Sequence, residues 1–230
     1  MRLYPIALLA GLLPLLTVQI TYLLSAQAGF VDWCLPYLHS CTSISATGRH
    51  PPAYFVFKAL MIPAAVLLMQ YWLLAGPWLR RAGDQHRVWH RAIAVIGLMA
   101  GIGLIFYTVM LGWIGEQFQT MRRAGMSAFF GFSILAQLLV TWRLGACDGL
   151  PEKTARARRV LTATLYAIFC LGLGSVLLGY ISPSVYARTD NAVAWNLTLL
   201  LCLHVLQTAA LWRQSDFSFQ FRVSPQHRDR

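Results

Sequence analysis

The sequence predicts an all-α membrane protein: a bundle of six transmembrane helices with both termini cytoplasmic. Three observations carry this prediction. Hydrophobic residues make up 57% of the 230 residues and charged ones only 12%, whereas a soluble domain holds about 45–50% and about 25%; the mean hydropathy is +0.56. The apolar residues gather in six runs, each near the roughly 20 residues needed to cross about 30 Å of hydrocarbon. The basic residues between the runs alternate in density. With the N-terminus inside, the inner segments hold fourteen Lys and Arg and the outer ones five, as the positive-inside rule requires.

That distribution accounts for the net charge of +11. Arginines facing anionic lipid headgroups explain it without a nucleic-acid partner. An aromatic content of 13% excludes disorder, and the length leaves no room for a separate soluble domain.

The first run, 4–24, follows Arg2. With Ala26-Gln27-Ala28 after it, it also has the outline of a cleaved secretory signal, but it exceeds the about 7–15 residues of a signal core. It is read as a retained first span; cleavage of residues 1–28 is the alternative. An outer segment, 25–52, leads to the second run at 53–75. Arg80, Arg81, Arg87 and Arg91 mark an inner turn before the third run at 92–114. An outer turn with Glu116, Arg122 and Arg123 precedes the fourth at 126–142. Arg143, Lys153, Arg156, Arg158 and Arg159 form the second inner segment, followed by runs at 160–181 and 192–212. These comprise a membrane domain over 1–212 and a polar cytoplasmic tail over 213–230, whose alternating Phe217-Ser218-Phe219-Gln220-Phe221 suits the membrane surface. Lys58 and Arg143 lie near run ends, where long side chains snorkel. Trp33, Trp78, Trp89, Trp113, Trp142 and Trp212 sit near ends and read as an interfacial belt. Gly97 with Gly101, and Ser175 with Gly179, have the spacing of close helix packing.

Candidate chemistry concentrates on the outer face. The 25–52 segment is the longest connection and carries Asp32, Cys34, His39, Ser40, Cys41, Ser43, Ser45, Arg49 and His50; long loops in compact bundles are functional or disordered. Cys34 and Cys41 share that face, where an oxidising compartment would let them pair; free thiols are the alternative. His39 and His50 are the weak candidates for general bases beside a serine, without a G-x-S-x-G elbow in support. Arg49, Arg122 and Arg123 run against the charge trend. A guanidinium matches phosphate bidentately, so these three with Glu116 are the candidate lipid-headgroup site, with ion pairing to Glu116 and Asp32 as the competing reading. His204 is the only mid-span histidine. It is either functional or a neutral group bonded to Gln207, Gln137 or a carbonyl. A haem would need a second axial ligand at its depth, so no metal or other cofactor is expected.

Ser45-Ala46-Thr47-Gly48-Arg49-His50-Pro51-Pro52 resembles the S-D-T-G-x-x-P-P signature of the DRAM-like superfamily, small polytopic proteins that include damage-regulated autophagy modulators and proteins remodelling GPI-anchor lipids. Phe118-Gln119, Gly125 and Phe129-Phe130 are similar to the family's F-Q…H-x-x-G-A-x-x-F-F. Trp195, Thr208, Asp216-Phe217 and Phe221-Arg222-Val223 resemble its closing span and tail. Ala46 stands at the signature Asp, Arg122 at the family His and Met126 at the following Ala, and the acidic residue common before the last-span aromatic is absent near Trp195. These departures remove the groups that acid–base or metal chemistry would use, and the balance leans away from an enzyme.

The resemblance implies six spans and lipid handling: headgroup binding, remodelling or asymmetry at the outer face. A non-catalytic scaffold or sensor for another membrane protein is the alternative, and a small transporter a third reading. Seventeen Arg against two Lys suggest a GC-rich bacterial source and an inner membrane.

Overall fold

A backbone in hydrocarbon must satisfy its own polar groups, and a helix does so within one segment. The computed structural model, which describes residues 2–147 and 149–218, meets that demand with six long apolar helices. They are α1 (Tyr4–Gln27), α4 (Ala53–Arg81), α5 (Arg87–Met110), α6 (Glu116–Gly145), α7 (Ala155–Ile181) and α8 (Pro183–Gln214). The short helices α2 (Pro36–His39) and α3 (Ile44–Thr47) lie between α1 and α4. Both ends of the described chain meet on one face, where Arg2 forms a bridge with Ser218 and the Leu3 N–H donates to the Phe217 carbonyl at 3.1 Å. That terminal face opposes the loop face built by α2 and α3.

The helices outrun the apolar runs. α6 begins at Glu116 and α8 at Pro183, so stretches expected as outer turns are helical extensions of the spans. Pro183 suits the first helical turn, where its missing N–H is no loss. These extensions bring polar residues onto the loop face in helical register.

α1, α4, α6 and α8 supply most of the main core, with Ile93 of α5 and Leu161 of α7. Tyr71, Trp72, Trp78 and Trp212 are almost fully buried in it, with Tyr71 stacked on Trp212 at 5.4 Å. This corrects the interfacial reading of Trp78 and Trp212: the Trp78 indole donates to Ser215 Oγ at 3.2 Å, and Trp212 packs against Phe217. Phe217 is therefore buried rather than laid on a membrane surface; Phe219, Phe221, Arg222, Val223, Arg228 and Arg230 lie outside the described residues.

Close approach depends on glycine where the backbones meet. A Cβ on Gly97 would fall 2.1 Å from Trp72 Cγ, and one on Gly101 would fall 2.4 Å from Met69 Cγ. Ser175 and Gly179 behave differently. α7 packs mainly along α8 and turns most of its apolar surface outward, and a Cβ on Gly179 would reach only van der Waals contact with Tyr186. The small-residue spacing there does not mark a tight helix crossing.

Candidate functional site

The loop face is built from the 28–52 segment and the first turns of α6 and α8. Cys34 and Cys41 form a disulfide with Cα atoms 6.7 Å apart, at the upper end of the usual span. The closed loop is docked on α8. Asn191 Nδ2 donates to the Ser40 carbonyl at 3.1 Å, the Trp195 indole to the Thr42 carbonyl at 2.9 Å, and Asn196 Nδ2 to the Tyr37 carbonyl at 2.8 Å. From α1, Tyr22 Oη donates to the Cys34 carbonyl at 2.7 Å. Burial, partly offset by a hydrogen bond from Gln19, raises the Tyr37 phenol above its ordinary range.

The signature stretch is a joint in this assembly. Ser43 caps α3 by accepting from the Ala46 N–H at 3.1 Å. Ser25 Oγ donates to the Thr47 carbonyl at 2.8 Å, tying α3 to α1. A Cβ on Gly48 would stand 2.6 Å from Phe57 and 2.9 Å from Leu111, so only glycine admits that packing. Pro52 then leads into α4. The residues around Arg49 are thus fixed by packing and hydrogen bonds.

Between α3, α5, α6 and α8 lies a cavity of about 750 Å³. Arg49, Arg122 and Arg123 line it, with Gln119, Asp190 and Asn191. On α6 the lining residues are 119, 122, 123, 126, 127 and 130, and on α8 they are 186, 190, 191 and 194. That is the spacing of one helix face. Met126, Phe130 and Ala194 supply apolar lining. Arg122 Nη1 donates to the Trp113 carbonyl at 2.8 Å and the Met110 carbonyl at 3.4 Å, which closes the end of α5 and sets the side chain's position.

The geometry brings three of the four candidate headgroup residues together and leaves out the fourth. Glu116 is exposed at the start of α6 and does not line the cavity. Neither Glu116 nor Asp32 pairs with an arginine; among the described residues, ion pairs are confined to Asp84. Asp32 lines a neighbouring cavity of about 350 Å³ with Ala46. Neither His39 nor His50 lines the arginine cavity. His39 Nδ1 accepts from the Leu35 N–H at 3.3 Å, and His50 stacks on Phe30 at 4.5 Å. Among the described residues no hydrogen bond joins either histidine to Ser40, Ser43 or Ser45, so the serine–base pairing is not assembled.

His204 is buried and bonded through Nε2 to Thr141 Oγ1 at 2.8 Å. The partner is none of those expected: Gln137 Nε2 donates to the Leu201 carbonyl at 3.0 Å and Gln207 Nε2 to Thr164 Oγ1 at 2.9 Å. Among the described residues no three His, Cys, Asp or Glu side chains gather as a metal site.

A second polar cluster, unforeseen from the sequence, sits on the terminal face. Asp84, in the turn between α4 and α5, has its side chain buried and accepts from Arg143 Nε at 2.8 Å and Nη2 at 2.6 Å. The His86 N–H donates to it at 3.1 Å, and His90 Nε2 lies 3.2 Å away. Arg143 therefore turns inward and does not snorkel. Its hydrogen bonds hold the Asp84 carboxyl well below the usual carboxylate range, against the opposing effect of burial. The signal available was Asp84 itself, a lone acid in a turn of arginines. Asp190 and Asn191 carry no such signal, because 182–191 reads as a loop in the sequence, where helical register has no meaning, whereas α8 begins at Pro183.

Six apolar helices around a polar, arginine-lined loop face define a multi-pass α-helical membrane protein. The chain belongs to the Frag1/DRAM/Sfk1 family: the family model for the Frag1/DRAM/Sfk1/Cwh43P N-terminal domain matches residues 2–206, nearly the whole chain. No curated protein and no solved structure matches it.

Proposed function

We propose that this protein handles lipid by binding a phosphate-bearing headgroup in the loop-face cavity, on the outer side of a bacterial inner membrane. The observation that carries this is the state of the arginines. Arg49, Arg122 and Arg123 line one cavity and, among the described residues, no carboxylate pairs with any of them. Unneutralised guanidinium groups beside an apolar wall accept an anion bearing hydrocarbon, and their planar forks suit phosphate oxygens. Binding is the role these residues support, and remodelling or distribution of the bound lipid is its consequence in the cell. The excess of arginine on the terminal face supports its cytoplasmic placement.

The test is a mass-spectrometric lipid profile of a deletion strain carrying either the wild-type chain or the Arg122→Glu, Arg123→Glu variant. A specific lipid change rescued by wild type alone is the expected result. An unchanged profile in the deletion strain overturns the reading and points to a scaffold for a partner membrane protein, to be sought by cross-linking.

A further inference from the structure

The cavity holds one acid among its basic residues. Asp190 is half-buried on the α8 side, while Arg122 and Arg123 stand on α6 and Arg49 follows α3. Three cations share the cavity with this carboxylate, yet none comes within ion-pair distance of it. Asp190 Oδ1 accepts from the Asn191 N–H at 2.7 Å, and among the described residues no hydrogen bond engages Oδ2. The position is braced: Asn191 Nδ2 and the Ala192 N–H both donate to Ser40, at 3.1 and 3.2 Å, which locks this turn of α8 onto the disulfide loop.

We propose that the cavity selects a headgroup carrying both a phosphate and a primary ammonium, phosphoethanolamine on a glycerolipid, with the arginines on the phosphate and Asp190 on the ammonium. This rests on the headgroup reading above and specifies its ligand. A ligand that is only anionic gains the arginines but meets repulsion from Asp190. A purely cationic one meets the reverse. A headgroup with both charges set apart along a short linker complements both walls. The acceptor also discriminates among amines, since a primary ammonium offers three N–H donors to a carboxylate and a quaternary ammonium offers none. The apolar lining from Met126, Phe130 and Ala194 favours the lipid over free phosphoethanolamine, which shares the same chemistry.

Native mass spectrometry of the purified full-length protein tests this. Phosphatidylethanolamine, phosphatidylglycerol and phosphatidylcholine are offered in equal amounts and the lipids retained are counted. Wild type should retain phosphatidylethanolamine about tenfold over the other two, the weight of one charged hydrogen bond. Asp190→Asn should bring phosphatidylethanolamine to within about twofold of phosphatidylglycerol while keeping the latter, and Arg122→Gln with Arg123→Gln should lose all retention. Wild type retaining phosphatidylglycerol as well as phosphatidylethanolamine, or Asp190→Asn keeping the preference, overturns the proposal and leaves headgroup binding standing. Wild type retaining none of the lipids overturns both. Added phosphoethanolamine that displaces the lipid where inorganic phosphate does not identifies a soluble ligand of this chemistry; failure to displace identifies the lipid.

Discussion

Arginine does opposite work at the two ends of the bundle. On the terminal face Arg143 is buried against a buried carboxylate, its Nε and Nη2 both donate to Asp84, and the pair closes a joint between the α4–α5 turn and α6. On the loop face Arg49 and Arg123 make no ion pair among the described residues, and Arg122 spends one nitrogen on carbonyls that end α5. The same side chain is a structural rivet where its charge is cancelled, and where it is not it is the group that the proposed headgroup site uses. Position along the chain does not distinguish the two cases; the nearest carboxylate does.

Removing the carboxylate on the terminal face should have the largest effect. Asp84→Ala leaves Arg143 buried without its counter-charge, and breaking a buried pair costs about 3–5 kcal/mol. Thermal unfolding in detergent should show a large fall in Tm. Changing both residues together, Asp84→Leu with Arg143→Met, should recover much of it, because the uncompensated charge disappears. The pH dependence has a definite sign. Folding depresses the Asp84 carboxyl, so its contribution is complete above the ordinary carboxylate range, near pH 4, and is lost as pH falls below it. Wild type should lose Tm on acidification over that range more steeply than Asp84→Asn; parallel curves would mean the pair is not formed.

The disulfide comes next. In the chain-entropy picture a loop this short is worth about 2–3 kcal/mol, and hydrogen bonds to α1 and α8 retain part of the loop geometry without it. Cys34→Ser with Cys41→Ser should lower Tm by less than Asp84→Ala. In the intact cell, maleimide labelling of the wild type at these two cysteines should require prior reduction. Labelling without reductant would break the assignment of this face to an oxidising compartment.

The spans and the charge alternation were legible because hydropathy acts locally and each run is long. The loop-face arginines were legible because they violate that alternation. What escaped was long-range pairing. Arg143 looks like any basic residue at a span end until Asp84, far away in sequence, is placed beside it. Trp78 and Trp212 look interfacial until Ser215 and Phe217 fold back over them. The helical extensions at 116–125 and 183–191 were hidden by their polarity. In a membrane protein that marks the end of hydrocarbon and says nothing about where the helix stops, and with them went Asp190.

Reversing the open arginines should separate function from folding. Arg123→Glu removes no hydrogen bond among the described residues and should leave Tm close to wild type; Arg122→Glu gives up its bonds to two carbonyls and should cost about 1 kcal/mol. The double variant should nevertheless fail to rescue the lipid profile. A fall in Tm as large as that of Asp84→Ala would show that these arginines too are structural, and the contrast between the two ends would vanish.

The smallest expected effect tests the premise most directly. Glu116 is the acid nearest in sequence to Arg122 and Arg123, and the sequence alone places it with them. In the structure it projects from the first turn of α6, exposed and outside the cavity, so its charge neutralises none of the three arginines. Glu116→Gln should therefore leave both Tm and lipid retention unchanged, at low and at high salt. Salt screens contacts between exposed charges, so any hidden coupling would appear as a difference between the two salt conditions. Tighter lipid retention by Glu116→Gln at low salt would mean that Glu116 had been competing with the ligand for the arginines. The loop face would then be a weaker version of the terminal-face pair, differing in degree of neutralisation rather than in kind.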